Sequence, residues 1–71
     1  MNTECDRHVI AELIDVYTSA TATANEAAHR SRDPHLPMLE RAALRHRAVQ
    51  YQELADQALR MVNELTARVA A

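Results

Sequence analysis

An apolar repeat runs unbroken through the C-terminal half of this chain. Its residues recur at alternating steps of four and three, and they are Leu44, Ala48, Tyr51, Ala55, Ala58, Val62, Leu65 and Val69. A period near 3.5 residues kept over this length is typical of a helix that packs lengthwise against another helix. The segment is therefore predicted to be one long helix with an apolar seam along one side.

The N-terminal half carries a second repeat of the same kind. Its members also step by three and four, and they are Ile10, Leu13, Tyr17, Ala20, Ala24 and Ala27. This spacing predicts a first helix over about residues 4–30, followed by a short polar turn at 31–33. Because so short a connection makes neighbouring helices antiparallel, we predict an all-α fold, an antiparallel two-helix hairpin that forms one domain over residues 1–71.

Two prolines leave the start of the second helix open. Asp33 is a good N-cap and Pro34 suits the first helical position, which predicts a second helix over about residues 34–69. Pro37 disfavours the helical conformation at Leu36, and this would delay the start of the helix by three residues.

Composition indicates that the hairpin associates with copies of itself. The 71 residues include no Phe or Trp, a single Cys, and 14 Leu, Ile and Val beside 14 Ala. So short a chain with a thin core and no internal disulfide gains stability from assembly, so we predict a homodimer or larger, with a four-helix bundle as its form. If the hairpin is symmetric about residues 32 and 33, the last seam residues extend beyond the first helix. The predicted oligomer interface consists of Leu54, Leu59, Met61, Val62, Leu65 and Val69.

Charge is distributed unevenly along the sequence. The formal net charge is −2, yet residues 29–47 hold five Arg against two acidic residues, and the rest of the chain holds three Arg against eight. The predicted basic interaction surface consists of Arg30, Arg32, Arg41, Arg45 and Arg47. A solvated face, or complementarity with the acidic end of a neighbouring subunit, is favoured over a nucleic-acid site, because the net charge is acidic and aromatic residues are few.

Two groups of residues have the spacing of metal ligands. Glu26 and His29 lie three residues apart on one helical face, as in di-iron bundles, but no facing carboxylates accompany them. Cys5, His8 and Glu12 also share a face, and a solvated helix start is the simpler interpretation. We therefore predict no metal ligands.

No pattern typical of an enzyme is present. No nucleophile lies in a recognisable catalytic setting, and a chain without glycine lacks the usual phosphate-binding loop. His35 and His46 are interpreted as solvated side chains. We predict no catalytic residue and no cofactor, and we expect that the chain is not an enzyme.

The residues after Met1 lack the basic and apolar segments typical of a secretory leader, and no apolar run reaches the roughly 20 residues that a membrane span needs. The single Cys5 suits a reducing compartment. We therefore expect a cytoplasmic protein with no membrane partner.

Several short segments resemble the two-helix ferritin-like proteins, including the encapsulated ferritins. They are residues 11–17, Glu26-Ala27-Ala28, Asp33-Pro34-His35-Leu36 and Arg41-Ala42-Ala43. The resemblance implies a hairpin that oligomerises. In that family the second helix carries Glu-x-x-His, whereas alignment on Asp33-Pro34 places Arg47 and Gln50 there and Ser19 at the first-helix ligand position. The resemblance therefore implies the fold without the iron chemistry.

Taken together, these patterns predict a small, non-enzymatic, homo-oligomeric helical protein that acts through protein–protein interaction, as a regulator, inhibitor or adaptor. Two alternatives stay open. One is a ferritin-like metal-binding protein, and the other is an RNA-binding helical-hairpin dimer, which the chain resembles in architecture but not in motif.

Overall fold

Two long helices make up the described part of the chain. The computed structural model describes residues 3–70 and contains α1 (Thr3–Arg30) and α2 (Met38–Ala70), with a connection over residues 31–37 and no strand in the described part. The helices pack side by side as an antiparallel rod with principal extents of 53, 13 and 12 Å. Its radius of gyration is 16.0 Å, against about 11 Å for a compact chain of this length. The predicted all-α helical hairpin is confirmed.

The two predicted seams form the contact between the helices. All seam residues are buried or half-buried except Tyr51, which is marginally exposed. The buried apolar residues of the described part are Ala20, Ala24, Ala27, Leu44, Ala55 and Ala58. Since five of these six are alanines, the helices can approach closely but remove little apolar surface from water.

The C-terminal end of α1 is closed by local hydrogen bonds. The backbone N–H of Ser31 donates to the carbonyl of Ala27 at 3.0 Å, and the next two N–H groups, of Arg32 and Asp33, donate to carbonyls only three residues back. The buried Ser31 also donates its hydroxyl to the carbonyl of Ala28 at 2.6 Å. These bonds satisfy carbonyl groups that a helix end otherwise leaves without partners.

The second helix begins at Met38, which agrees with the delayed start that Pro37 suggested and not with a start at Pro34. Asp33 accepts the N–H of His35 through its side-chain Oδ1 at 2.9 Å, and its carbonyl accepts the N–H of Leu36 at 3.2 Å. These two bonds make residues 33–36 a turn with Pro34 at its second position, which proline favours. The first helical bond of α2 runs from the N–H of Arg41 to the carbonyl of Pro37 at 3.0 Å.

The longer connection changes the register of the hairpin. Symmetry about residues 32 and 33 would place Val16 opposite Val49, whereas Val16 lines a groove together with Tyr51 and Leu54. The shift follows from the start of α2 at Met38, four residues later than residue 34. It brings the start of α1 toward the C-terminal turns of α2, and Leu65, predicted to extend beyond α1, is half-buried.

Both helices are mixed in polarity along their length. Within α1, for example, the Thr18 hydroxyl donates to the carbonyl of Ile14 at 2.9 Å, a bond that satisfies a polar side chain inside a helix. Within residues 3–70, neither helix combines the length and apolar character needed to cross a bilayer.

Candidate interaction surfaces

One broad side of the rod carries a stripe of exposed apolar side chains from both helices. Val16, Tyr51 and Leu54 line one open groove of about 300 Å³. Val9 precedes Val16 by seven residues and Met61 follows Leu54 by seven, and seven residues return a helix to nearly the same side. All five side chains are exposed. We call this surface the apolar face, and it consists of Val9, Val16, Tyr51, Leu54 and Met61.

The predicted oligomer interface does not form one surface. Leu54 and Met61 lie on the apolar face, but Leu59 is five residues from Leu54, about 140° around the helix, and lies on the opposite side. The remaining predicted residues lie in the seam and are half-buried within the hairpin, and they are Val62, Leu65 and Val69. The six residues therefore lie partly in the seam and partly on its two sides, because the residues that flank the seam diverge.

The sequence reasoning missed the contribution of α1 to this face. Val9 and Val16 are seven residues apart, as are Leu54 and Met61, so each helix carries a second heptad stripe beside its seam. This repeat was the available signal. It was not recognised because each of its residues lies only one or two positions from a residue of the stronger seam repeat.

The accessible surface of the chain is larger than that of a typical monomer of its mass. It measures 5458 Å² for 8.0 kDa. A compact monomer of this mass exposes about 4,450 Å². The difference is on the order of 1,000 Å², comparable to the roughly 800 Å² that each partner buries in a stable protein–protein interface.

A basic groove lies on the other side of the rod, near the connection. It has a volume of about 570 Å³ and is lined by Ala28, Ser31, Arg32, Arg41, Arg45, Ala48 and Val49. Arg45 precedes Leu54 by nine residues, about half a turn around the helix in net rotation, which places it opposite the apolar face. The half-buried Arg41 has its Nε buried with no hydrogen-bond partner in the described part of the chain.

The guanidinium groups of the basic groove are not neutralised by neighbours. Within residues 3–70, no ion pair or side-chain hydrogen bond involves Arg32, Arg41 or Arg45, and no acidic residue lines the groove. Since charged groups left partly desolvated without a partner are costly, an anion placed here would be favourable.

The five predicted arginines do not form one surface either. Arg30 and Arg47 line two small cavities on the side of the apolar face, one together with Glu26 and the other together with Glu40. Each of these two cavities therefore has an acidic residue in its lining, unlike the basic groove. The predicted surface divides because α2 turns by about 100° per residue, which places Arg47 about 160° around the helix from Arg45.

The candidate metal ligands are all on the solvated surface. Glu26 and His29 are exposed, as are Cys5, His8 and Glu12. His8 Nε2 and Glu12 Oε1 lie 3.1 Å apart as an i, i+4 pair whose side chains are largely exposed. In the part of the chain that the structure describes, no group of three His, Cys, Asp or Glu residues is close enough to hold a metal ion.

Comparison of the chain with protein-family models, with curated proteins and with solved structures gives no match. The apolar face and the basic groove are therefore the features of this chain that bear on its function.

Proposed function

We propose that this chain is a non-enzymatic interaction module that dimerises through its apolar face into a four-helix bundle and acts by binding another protein, as a regulator, inhibitor or adaptor. The observation that carries the proposal is the placement of the apolar side chains. Five of the six buried apolar residues of the described part are alanines, whereas Val9, Val16, Leu54 and Met61 are exposed.

Side-chain size determines how much stability each apolar contact contributes. A buried Ala removes little apolar area from water, while burial of a Val, Leu or Met side chain contributes about 1.5 to 3 kcal/mol. A hairpin that leaves several of its larger apolar side chains exposed gains further hydrophobic stabilisation when a second copy covers them. The excess accessible area on the order of 1,000 Å² matches the size of such a contact.

The spacing of the apolar face suits a second copy of the chain. Val9 and Val16 on α1, and Leu54 and Met61 on α2, repeat at seven residues, which is the spacing by which helices pack side by side in bundles. Val16 and Leu54 lie at the midpoints of their helices. A twofold axis at this level gives contact along the full length of the rod.

Charge favours an antiparallel arrangement of the two copies. Five of the eight arginines lie within residues 29–47, near the connection, and the opposite end of the rod carries most of the acidic residues. Antiparallel packing sets the basic end of one copy beside the acidic end of the other. Parallel packing would set Arg47 against Arg47, and like charges in an interface are unfavourable.

A concentration series tests this proposal directly. Light scattering on the full chain is expected to give twice the monomer mass at micromolar concentration. The thermal midpoint is expected to rise with protein concentration, since association stabilises the folded state by mass action. A monomer whose midpoint is independent of concentration would contradict the proposal.

A further inference from the structure

We propose that the basic groove binds a short acidic segment of a partner protein, in which an aliphatic side chain lies between carboxylates. The proposal rests on the proposed function in one respect, namely that the partner is a protein. It does not require dimerisation, because the groove and the apolar face lie on opposite sides of α2.

The charge of the groove selects for carboxylates. Arg32, Arg41 and Arg45 line it without any acidic residue and without ion pairs in residues 3–70. An Arg guanidinium binds a carboxylate through two parallel N–H donors, which gives strength and orientation that a Lys would not provide. The Nε of Arg41 is buried without a hydrogen-bond partner within the described residues, so a carboxylate in the groove would bond to the terminal nitrogens of this guanidinium.

The rest of the groove selects for an aliphatic side chain and sets the length of the segment. Ala28, Ala48 and Val49 provide apolar surface between the arginines. From Arg41 to Val49, α2 rises about 12 Å. An extended peptide advances about 3.3 Å per residue, so the groove accommodates about four residues.

These features favour a peptide over a nucleic acid. The groove has no aromatic residue on which a base could stack, and it offers only three cations on a chain of net charge −2. A polyanion extending beyond the groove would meet the acidic residues elsewhere on the surface. A four-residue acidic segment would not reach them.

The probe is a phage-displayed library of random tetrapeptides flanked by Gly-Ser spacers. Peptides are selected for binding to the full chain. Enriched peptides are expected to hold at least two Asp or Glu residues and one Leu, Ile or Val. The best of them, synthesised with a fluorescent label, is expected to lose about tenfold or more in affinity for Arg41→Gln and for Arg45→Gln, because each change removes a charge-assisted hydrogen bond. Arg45→Lys, which keeps the charge but not the planar fork, is expected to give a smaller loss.

Matched controls separate this site from general electrostatics. Arg60→Gln and Arg68→Gln remove the same charge from exposed positions of α2 outside the groove and are expected to leave the affinity unchanged. Selection without acidic enrichment, or equal losses for all four Gln variants, would overturn the proposal. Tighter binding of a 12-nucleotide single-stranded RNA, lost in the Arg41 and Arg45 variants, would replace the peptide with a nucleic acid. Leu54→Asp should leave peptide binding intact, so a failure of dimerisation is distinguishable from a failure here.

Discussion

Ala55 is the most completely buried residue of the described chain, with an accessibility of 0%. It lies where α2 approaches α1, and only a small side chain allows that approach. Ala55→Arg is therefore expected to lower the free energy of unfolding by roughly 1 to 3 kcal/mol through overpacking and charge burial. Urea denaturation followed by circular dichroism measures this.

Gln52 supplies the matched control for this substitution. It is exposed three residues away on the same helix, and its side chain donates to Asp56 Oδ1 at 3.2 Å. Gln52→Arg places the same side chain in solvent, one turn before a carboxylate, and is expected to change stability by less than about 0.5 kcal/mol. Equal unfolding midpoints for the two variants would contradict the seam assignment.

Glu26 and His29 lead to a prediction about metal. Both side chains are exposed, and the ferritin-like ligand positions inferred from the sequence are occupied by Ser19, Arg47 and Gln50. Metal analysis of the purified chain is expected to find no stoichiometric iron, and added iron is expected to leave the thermal midpoint unchanged, because a ligand stabilises only the state it binds. One tightly held metal per dimer that is lost in Glu26→Ala would favour the ferritin-like alternative.

The connection between the helices determines which backbone amides at the start of α2 lack a hydrogen-bond acceptor. The first helical N–H of α2 to find an acceptor is that of Arg41, so the amides of Met38, Leu39 and Glu40 open the helix without a backbone partner in the described residues. Hydrogen exchange followed by NMR is expected to show fast exchange at these three amides and protection from Arg41 onward. Protection at Leu39 and Glu40 would instead indicate a helix that begins near Pro34.

The sequence predicted the helices well and their connection poorly, for different physical reasons. A seam such as Leu44 to Val69 repeats many times, so each heptad reinforces the same helical period. The predicted start of α2 depended only on the choice between Pro34 and Pro37, and both prolines suit the first turn of a helix. Asp33 still accepts the N–H of His35, as an N-cap does, but the turn ends at Leu36 because Pro37 disfavours the helical conformation there.

The two surfaces were only partly predictable for a related reason. The repeat period alone shows which residues belong to a seam. The side of the seam on which a neighbouring residue lies depends on its angle around the helix axis. Leu54 and Leu59 both flank the seam of α2, yet they lie on opposite sides of the rod. Pairing of Val16 with Leu54 also required the register, which the seven-residue connection set.

The antiparallel arrangement of the proposed dimer can be tested by cross-linking. With Cys5→Ser as background, Met61→Cys alone is expected to form little disulfide, because antiparallel copies hold their Met61 positions far apart. A mixture of Met61→Cys and Arg47→Cys chains is expected to form the mixed disulfide under mild oxidation, since these positions lie equally far from Leu54 in opposite directions. Efficient Met61 to Met61 cross-linking would indicate parallel copies.

Leu54 and Leu59 provide the most direct comparison. Both are leucines of α2 with similar exposure, 43% and 40%, but they lie on opposite sides of the rod. Sedimentation equilibrium of the wild-type chain, Leu54→Asp and Leu59→Asp at micromolar concentration measures whether the apolar face joins two copies. We expect dimers for the wild-type chain and for Leu59→Asp, and a monomer for Leu54→Asp, because a buried carboxylate in the contact is costly. A monomeric wild-type chain, or the same mass for both variants, would contradict dimerisation through the apolar face.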